Sequence, residues 1–427
     1  MRSDIIILSL NLMLYVFAFF RFKSRSLLSI GSITFMLYSI LALMSLIMVG
    51  TSDDKPLDLS FFALLYLYVC ILISYKPLAS LNHPGLTVRH TSSKPLNVLL
   101  VVIVVFSVAR FPEIVNNFTK IITGFLLDSN VFYDQYNTAM ETFTQVQTGG
   151  TYNILTILMG MFDRYIPFFL MYYLTLEKRN KLLTIGLVIG LIIAPMHGLI
   201  EAQRGILVDI VLSCVVAYVL FKDSYSEKVN KVVRITGLSF VLGVVIALSM
   251  ITISRFSQSF MAADSVQRSV YAYAGQSMTN FGEYGFDTGG IRHGDRTIPL
   301  VKKILFMDGA FDYAHRMEKY QELKLNEGLF STFVGDFVVD FGPILAFIII
   351  VIMSIIFSRM IAHKGRVVPM HKLIPAYILG YIILCGWHLY PFADFGGNLS
   401  LFIGFLLYFY FKRIYIKQNE IIVKNNG

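Results

Sequence analysis

The feature that most constrains this chain is a recurrence of apolar segments, separated by short loops that are alternately rich and poor in Lys and Arg. About twenty apolar residues in a helix match the roughly 30 Å hydrocarbon core of a bilayer. Only 15% of the residues are charged and 56% are hydrophobic, whereas a soluble domain carries roughly 25% charged residues. The chain therefore reads as an all-α, polytopic integral membrane protein. The pattern predicts spans at residues 5–20, 27–49, 59–75, 97–111, 151–176, 182–196, 204–221, 235–254, 333–357, 373–390 and 398–411. Eleven helices follow, in one membrane domain covering 1–427, with long external loops at about 112–150 and 255–332.

Basic flanks are retained on the cytoplasmic side of a membrane. The six segments that follow odd-numbered helices hold 21 Lys and Arg, and the short segments on the other side hold 3, namely Arg2, Lys55 and Arg204. The N-terminus is thus expected outside and the C-terminus in the cytoplasm. The net charge of +9 is mostly this topology signal, which points to acidic membrane lipid as its counterpart and not to nucleic acid. Residues 5–20 lack a basic leader and a small-residue cleavage site, so the first span is expected to stay as a helix. Cys70, Cys214 and Cys385 are too scattered for a disulfide framework or a metal site. No acidic cluster resembles a divalent-cation cage, so no metal and no cofactor are expected.

Polar chemistry gathers in a few places. In the first long loop, Ile114, Val115, Phe118, Ile121, Ile122, Phe125 and Leu126 recur at helical spacing. That pattern fits an amphipathic helix in the membrane interface, and fits packing on other helices equally well. The second loop holds nine basic residues and the run Gly289, Gly290, Ile291, Arg292, His293, Gly294, Asp295, Arg296. Glycines let backbone approach a ligand, and paired guanidinium forks suit phosphate oxygens; a solvated polar turn is the plainer reading. His315 and Arg316, with Glu318 and Lys319, read as the wet face of a short helix.

Further along, Pro195 to Gly205 forms a hairpin holding His197, Glu201 and Arg204. Arg204 opens a helix whose N-terminus faces outward, where its charge and the free amides suit one anion; snorkelling to headgroups is the alternative. Inside the membrane lie Asp163, Arg164 and Asp209. Arg164 and Asp209 each stand twelve residues before the cytoplasmic end of their helix, about 18 Å at 1.5 Å per residue, so they can meet. Asp336 and Asp340 are four apart on one helix face, ahead of Gly342 and Pro343, which allow a kink. They can orient sugar hydroxyls, act as a base, or neutralise an arginine.

These residues carry a resemblance to the Wzy-type polymerases that join lipid-linked repeat units of O-antigen or capsule. It rests on the plan of about eleven helices with two long external loops, on Arg204-Gly205 opening one helix, and on Asn326, Thr332-Phe333 and Asp340-Phe341-Gly342 leading into another. The resemblance implies a GT-C-like membrane glycosyltransferase, metal-independent, on the external face of a bacterial inner membrane. Donor and acceptor would both be glycans on undecaprenyl pyrophosphate, with a chain-length regulator and a flippase as protein partners. It further implies that Arg204, Arg292 and Arg296 hold the pyrophosphate, with Arg164 supporting them. His293, or failing that His197, would take the proton of the attacking hydroxyl, with Asp336 and Asp340 orienting sugars or arginines. The rivals are an O-antigen ligase using the same donor, and, from another class, a transporter of lipid-linked oligosaccharides.

Overall fold

The computed structural model describes residues 2–23, 29–51, 56–82, 85–91, 93–127, 131–137, 160–256 and 262–426. It is almost wholly helical. Among the described residues, nine helices are long and apolar enough to cross a membrane: Ser3–Phe22, Ile30–Gly50, Phe61–Leu81, Lys94–Leu127, Lys181–Ile200, Arg204–Ser224, Glu227–Ser254, Thr332–Ile361 and Asp394–Glu420. Local chemistry sets several starts. The Ser29 hydroxyl accepts from Ser32 N at 3.1 Å, Ser60 accepts from Ala63 N, and Asn180 accepts from Leu182 N, each satisfying an amide that has no partner within its helix.

Two expected spans differ. Of 151–176, residues 151–159 lie outside the described part. In place of a continuous α-helix, a 3-10 turn, Asp163–Tyr165, leads into Ile166–Tyr173. Pro167 accounts for the change, since its ring would clash with the carbonyl four residues earlier in an unbroken helix. The expected span 373–390 is the helix Met370–Cys385, too short at 16 residues to count with the nine. Near 97–111, Pro112 breaks the run into Ser93–Ala109 and Phe111–Leu127. Along the latter, Ile121 with Phe118, Ile122 and Phe125 packs with Leu199, Leu207, Ala247 and Ile251. The middle of its apolar stripe thus meets neighbouring helices, while Leu126 at its end is 78% exposed. Among the described residues, the one departure from all-helical structure is a parallel pairing of Thr87–Arg89 with Val367–Pro369.

Contacts divide the chain into two compact units. The first comprises Met1–Pro84, Ala263–His363 and Ile378–Leu399; the second comprises Gly85–Ala262, Lys364–Tyr377 and Ser400–Gly427. In the first unit, Leu57 N donates to Asp4 Oδ2 (3.1 Å), Ser60 N to the Gly282 carbonyl (2.8 Å) and Asn280 Nδ2 to the Phe330 carbonyl (2.9 Å). These bonds gather the start of the first helix, the segment 57–60 and the segment before Thr332 at one end. Asn82 bonds the Phe22 carbonyl at the other. In the second unit, the paired strands meet Asp223 and Ser224 through Gly85 N and Val88 N, and Arg89 reaches Asn419, so the Lys- and Arg-rich connections share one end.

A candidate site built on a buried charge cluster

The site of interest lies in the first unit and starts from a broken helix. Within Thr332–Ile361, Gly342 has φ 75°, ψ 162°, a conformation that glycine tolerates. Pro343 follows and has no N–H, so the Val339 carbonyl loses its helical donor. Arg292 N supplies one at 2.9 Å. The Pro343 carbonyl accepts from the Tyr66 hydroxyl at 2.7 Å. At the upper end, Ser331 N and Thr332 N both donate to the His388 carbonyl at 3.0 Å, and Phe333 N donates to Gly386 O at 2.7 Å. The turn 289–297 is thereby laid against the upper part of this helix. Gly289 and Gly294 both have positive φ, and a side chain on Gly289 would meet the Glu322 carbonyl.

On this frame, seven charges converge. Arg292 Nε lies 2.7 Å from Asp340 Oδ1, Nη2 lies 3.1 Å from Asp336 Oδ1 and Nη1 lies 3.2 Å from Glu327 Oε1. Arg296 Nη1 donates to Asp336 Oδ1 at 2.6 Å, and its Nε lies 3.5 Å from Glu327 Oε2. Arg316 grips Glu327 through Nε and through Nη2 (2.9 Å), and Nη2 also donates to Asp394 Oδ1 at 2.6 Å. Backbone amides complete the set: Tyr390 N to Asp336 Oδ2 at 2.6 Å and Thr297 N to Asp340 Oδ2 at 2.7 Å. All but Asp394 are buried; its carboxylate is 51% exposed.

The electrostatics follow from this packing. Burial alone would push the Glu327 carboxyl up, but the charges of Arg296, Arg316 and Arg292 outweigh it and hold it below the usual carboxylate range. Burial would likewise lower Arg296, yet the surrounding carboxylates raise it above its ordinary value. Three buried guanidinium groups thus face three buried carboxylates, with Asp394 as the fourth, solvent-facing anion. The cluster carries no surplus of positive charge.

No family model, curated protein or solved structure matches this chain. Among the described residues, no group of three or more His, Cys, Asp or Glu is placed to hold a metal ion; the cluster's carboxylates face arginines instead.

Of the residues singled out from the sequence, the structure brings Arg292, Arg296, Asp336 and Asp340 together. His293 sits beside them in the chain, exposed at the surface in the turn and with φ 55°. Three further members carry no signal in their spacing. Arg316, expected on a wet helix face, is buried in the helix Tyr313–Lys319, while its neighbour His315 is exposed. Glu327 and Asp394 complete the set. A satellite forms around buried Asp295, which is bonded to Lys302, to Ala310 N (2.8 Å), to the Tyr320 hydroxyl (2.7 Å) and to Lys319 (3.2 Å). Burial opposes that charge, but these partners hold the Asp295 carboxyl below its ordinary value.

Arg164, His197 and Arg204 belong to the second unit. Arg204 opens the helix Arg204–Phe221, and His197 Nε2 lies 3.2 Å from Glu201 Oε1. Ahead of Arg204, Gln203 N bonds the Gly198 carbonyl and Ala202 takes φ 52°, a left-handed helix ending. Arg164 lies in the 3-10 turn, with its carbonyl accepting from the Tyr377 hydroxyl at 2.6 Å. Its charge acts on both Asp163 and Asp209. Asp163 is also held by Arg110, whose Nη2 reaches both carboxylate oxygens at 2.7 and 2.6 Å, a partner that helical spacing does not reveal.

Proposed function

We propose that this protein is a GT-C-like, Wzy-type polymerase that joins undecaprenyl-pyrophosphate-linked repeat units of O-antigen or capsule at the external face of a bacterial inner membrane. The observation that carries this reading is the buried cluster of Arg292, Arg296 and Arg316 with Glu327, Asp336 and Asp340, at the head of an apolar helix. Buried charge costs several kcal/mol per ion unless compensated, and ionisable groups in membrane segments usually mark function. The eleven crossings of this proposal would include Met370–Cys385 and the segment around 151–176, with the N-terminus outside and the C-terminus inside.

In the reaction, an acceptor hydroxyl oxygen attacks the anomeric carbon of the donor glycan. The bond from that carbon to the pyrophosphate oxygen breaks, and undecaprenyl pyrophosphate leaves with the electron pair. Arg292 and Arg296 offset the charge that develops there. The hydroxyl proton passes to His293, which the turn 289–297 carries beside the arginines. Because each guanidinium in the cluster already binds carboxylate, the pyrophosphate has to take the place of one. Asp336 and Asp340 then act as place-holders that keep the arginine forks aimed.

The test is the polysaccharide ladder of a deletion strain complemented with variants, alongside membrane-protein abundance. Deletion should leave single repeats; long chains stranded on the carrier lipid would indicate a ligase, and units trapped on the inner face a transporter. Arg292→Ala or Arg296→Ala at normal abundance should reproduce the single-repeat pattern. His293→Ala should slow polymerisation by about 10² to 10⁴, the range for a positioned base. Normal ladders from both arginine variants would overturn the site.

A further inference from the structure

The short helix Pro299–Ile304 ends in a turn that exposes four consecutive apolar side chains. Ile304, Leu305 and Met307 are each more than half exposed, and Phe306 is 96% exposed. Such a run does not suit a surface facing water. Nor is the turn loosely held. Phe306 N donates to the Lys303 carbonyl and Met307 N to the Lys302 carbonyl (3.2 and 2.9 Å), while Lys302 is itself held by buried Asp295. Phe306 keeps a left-handed backbone, φ 53°, which a bulky residue rarely adopts. Strain of this kind persists only where the surroundings impose it.

Two further observations indicate what covers this tip. The first is its level. Leu300 N donates to Asn398 Oδ1 at 3.3 Å, and Asn398 stands just before the apolar run 399–411 of a membrane-length helix. Pro299–Ile304 therefore starts at the edge of that run, and the exposed turn begins four residues later, within reach of the interfacial layer. The second is charge. Lys303 is exposed, with its ammonium 5.3 Å from the Phe311 ring centroid and 5.2 Å from that of Phe395. A cation laid along apolar rings beside an exposed apolar tip is the pairing that interfacial elements use on anionic lipid.

We propose that residues 299–307 form an interfacial anchor, in which Ile304, Leu305, Phe306 and Met307 enter the upper acyl region and Lys303 meets an anionic lipid phosphate. The partner is the lipid surface itself. The anchor is three residues from Arg296, so it holds the cluster's turn at headgroup level. Its role is the same whether or not the protein is a glycosyltransferase.

The test uses the full chain in vesicles of phosphatidylethanolamine and phosphatidylglycerol. An environment-sensitive fluorophore is attached to Phe306→Cys and, as a control on the same loop, to exposed His315→Cys, with the unsubstituted protein reporting any labelling of Cys70, Cys214 and Cys385. Nitroxide lipids labelled near the top of the acyl chain should quench the Phe306 probe several-fold more than the His315 probe, and aqueous iodide should do the reverse. Equal iodide quenching at the two sites overturns the anchor. Protection of the Phe306 probe from both quenchers also overturns it, since a protein would then cover the tip. Lys303→Gln should weaken lipid quenching only in vesicles that contain phosphatidylglycerol; an effect independent of that lipid overturns the role of Lys303.

Discussion

Asp336 is shared between two arginines and the backbone: Oδ1 serves Arg292 and Arg296 together, and Oδ2 accepts from Tyr390 N. Asp336→Asn removes one negative charge while both guanidinium groups remain buried. Breaking such a pair costs about 3–5 kcal/mol, so a large fall in thermal stability in detergent is expected; an unchanged midpoint would mean the arginines find another partner. Glu327, like Asp295, contributes to the acid limit. Its carboxyl is held below the ordinary range, so its contribution is fully present above the unfolded value and lost as pH falls through the depressed folded one. Unfolding midpoints should therefore be flat near neutrality and fall once pH drops below about 4, the unperturbed carboxylate value. Much of this cluster is legible in the sequence. Asp336 and Asp340 share a face by their spacing, and Arg292 and Arg296 stand out in a glycine-rich turn. Arg316 is not legible, because the run His315, Arg316, Glu318, Lys319 reads as solvated, and only the tertiary contact with Glu327 and Asp394 takes one of its side chains inside.

At the scale of elements, close helix approach is written in small residues that spacing arguments overlook. A Cβ on Gly275 would lie 2.7 Å from Ser45 N and 2.8 Å from Ser45 Cα, and the Ser45 hydroxyl donates to the Gly275 carbonyl at 2.7 Å. Gly275→Leu must push the helices Ile30–Gly50 and Ala262–Tyr284 apart, because the obstacle is backbone. A several-degree loss in melting temperature is expected, with Gly275→Ala intermediate; a wild-type melt for both would show that the helices separate freely. The kink at Gly342-Pro343 is legible from those two residues alone. The break before Ile166 is hidden by the unbroken hydropathy there, although Pro167 signals it. The helical periodicity at 114–126 holds as a pattern and leaves its partner open, since an apolar stripe looks the same whether it meets lipid or another helix.

For the whole molecule, the Lys and Arg asymmetry and the contacts within each unit agree on which connections share an end. A reporter fused after Gly290 should signal the external side, and fusions after Asn180, Ser226 or Gly365 the cytoplasm. A cytoplasmic signal at Gly290 would remove the charge cluster from the outer face and with it the proposed reaction. The helical class and membrane character are plain from hydropathy. The number of crossings is less so, because Met370–Cys385 falls short of a full span and residues 160–173 are interrupted, and neither shortfall alters composition.

The break at Gly342 also divides its helix into a lower part of membrane length and an upper part that carries the charges. Below it, residues 343–361 amount to about 28 Å of helix at 1.5 Å per residue, close to the thickness of the hydrocarbon layer. Above it, Thr332 to Phe341 is fixed by ion pairs and by the carbonyls of Gly386 and His388. The lower half is itself tied to the helix Phe61–Ala79, by Tyr66 to the Pro343 carbonyl and by Ser354 Oγ to the Ile73 carbonyl, each at 2.7 Å, so a change in bilayer thickness has to tilt the two helices together.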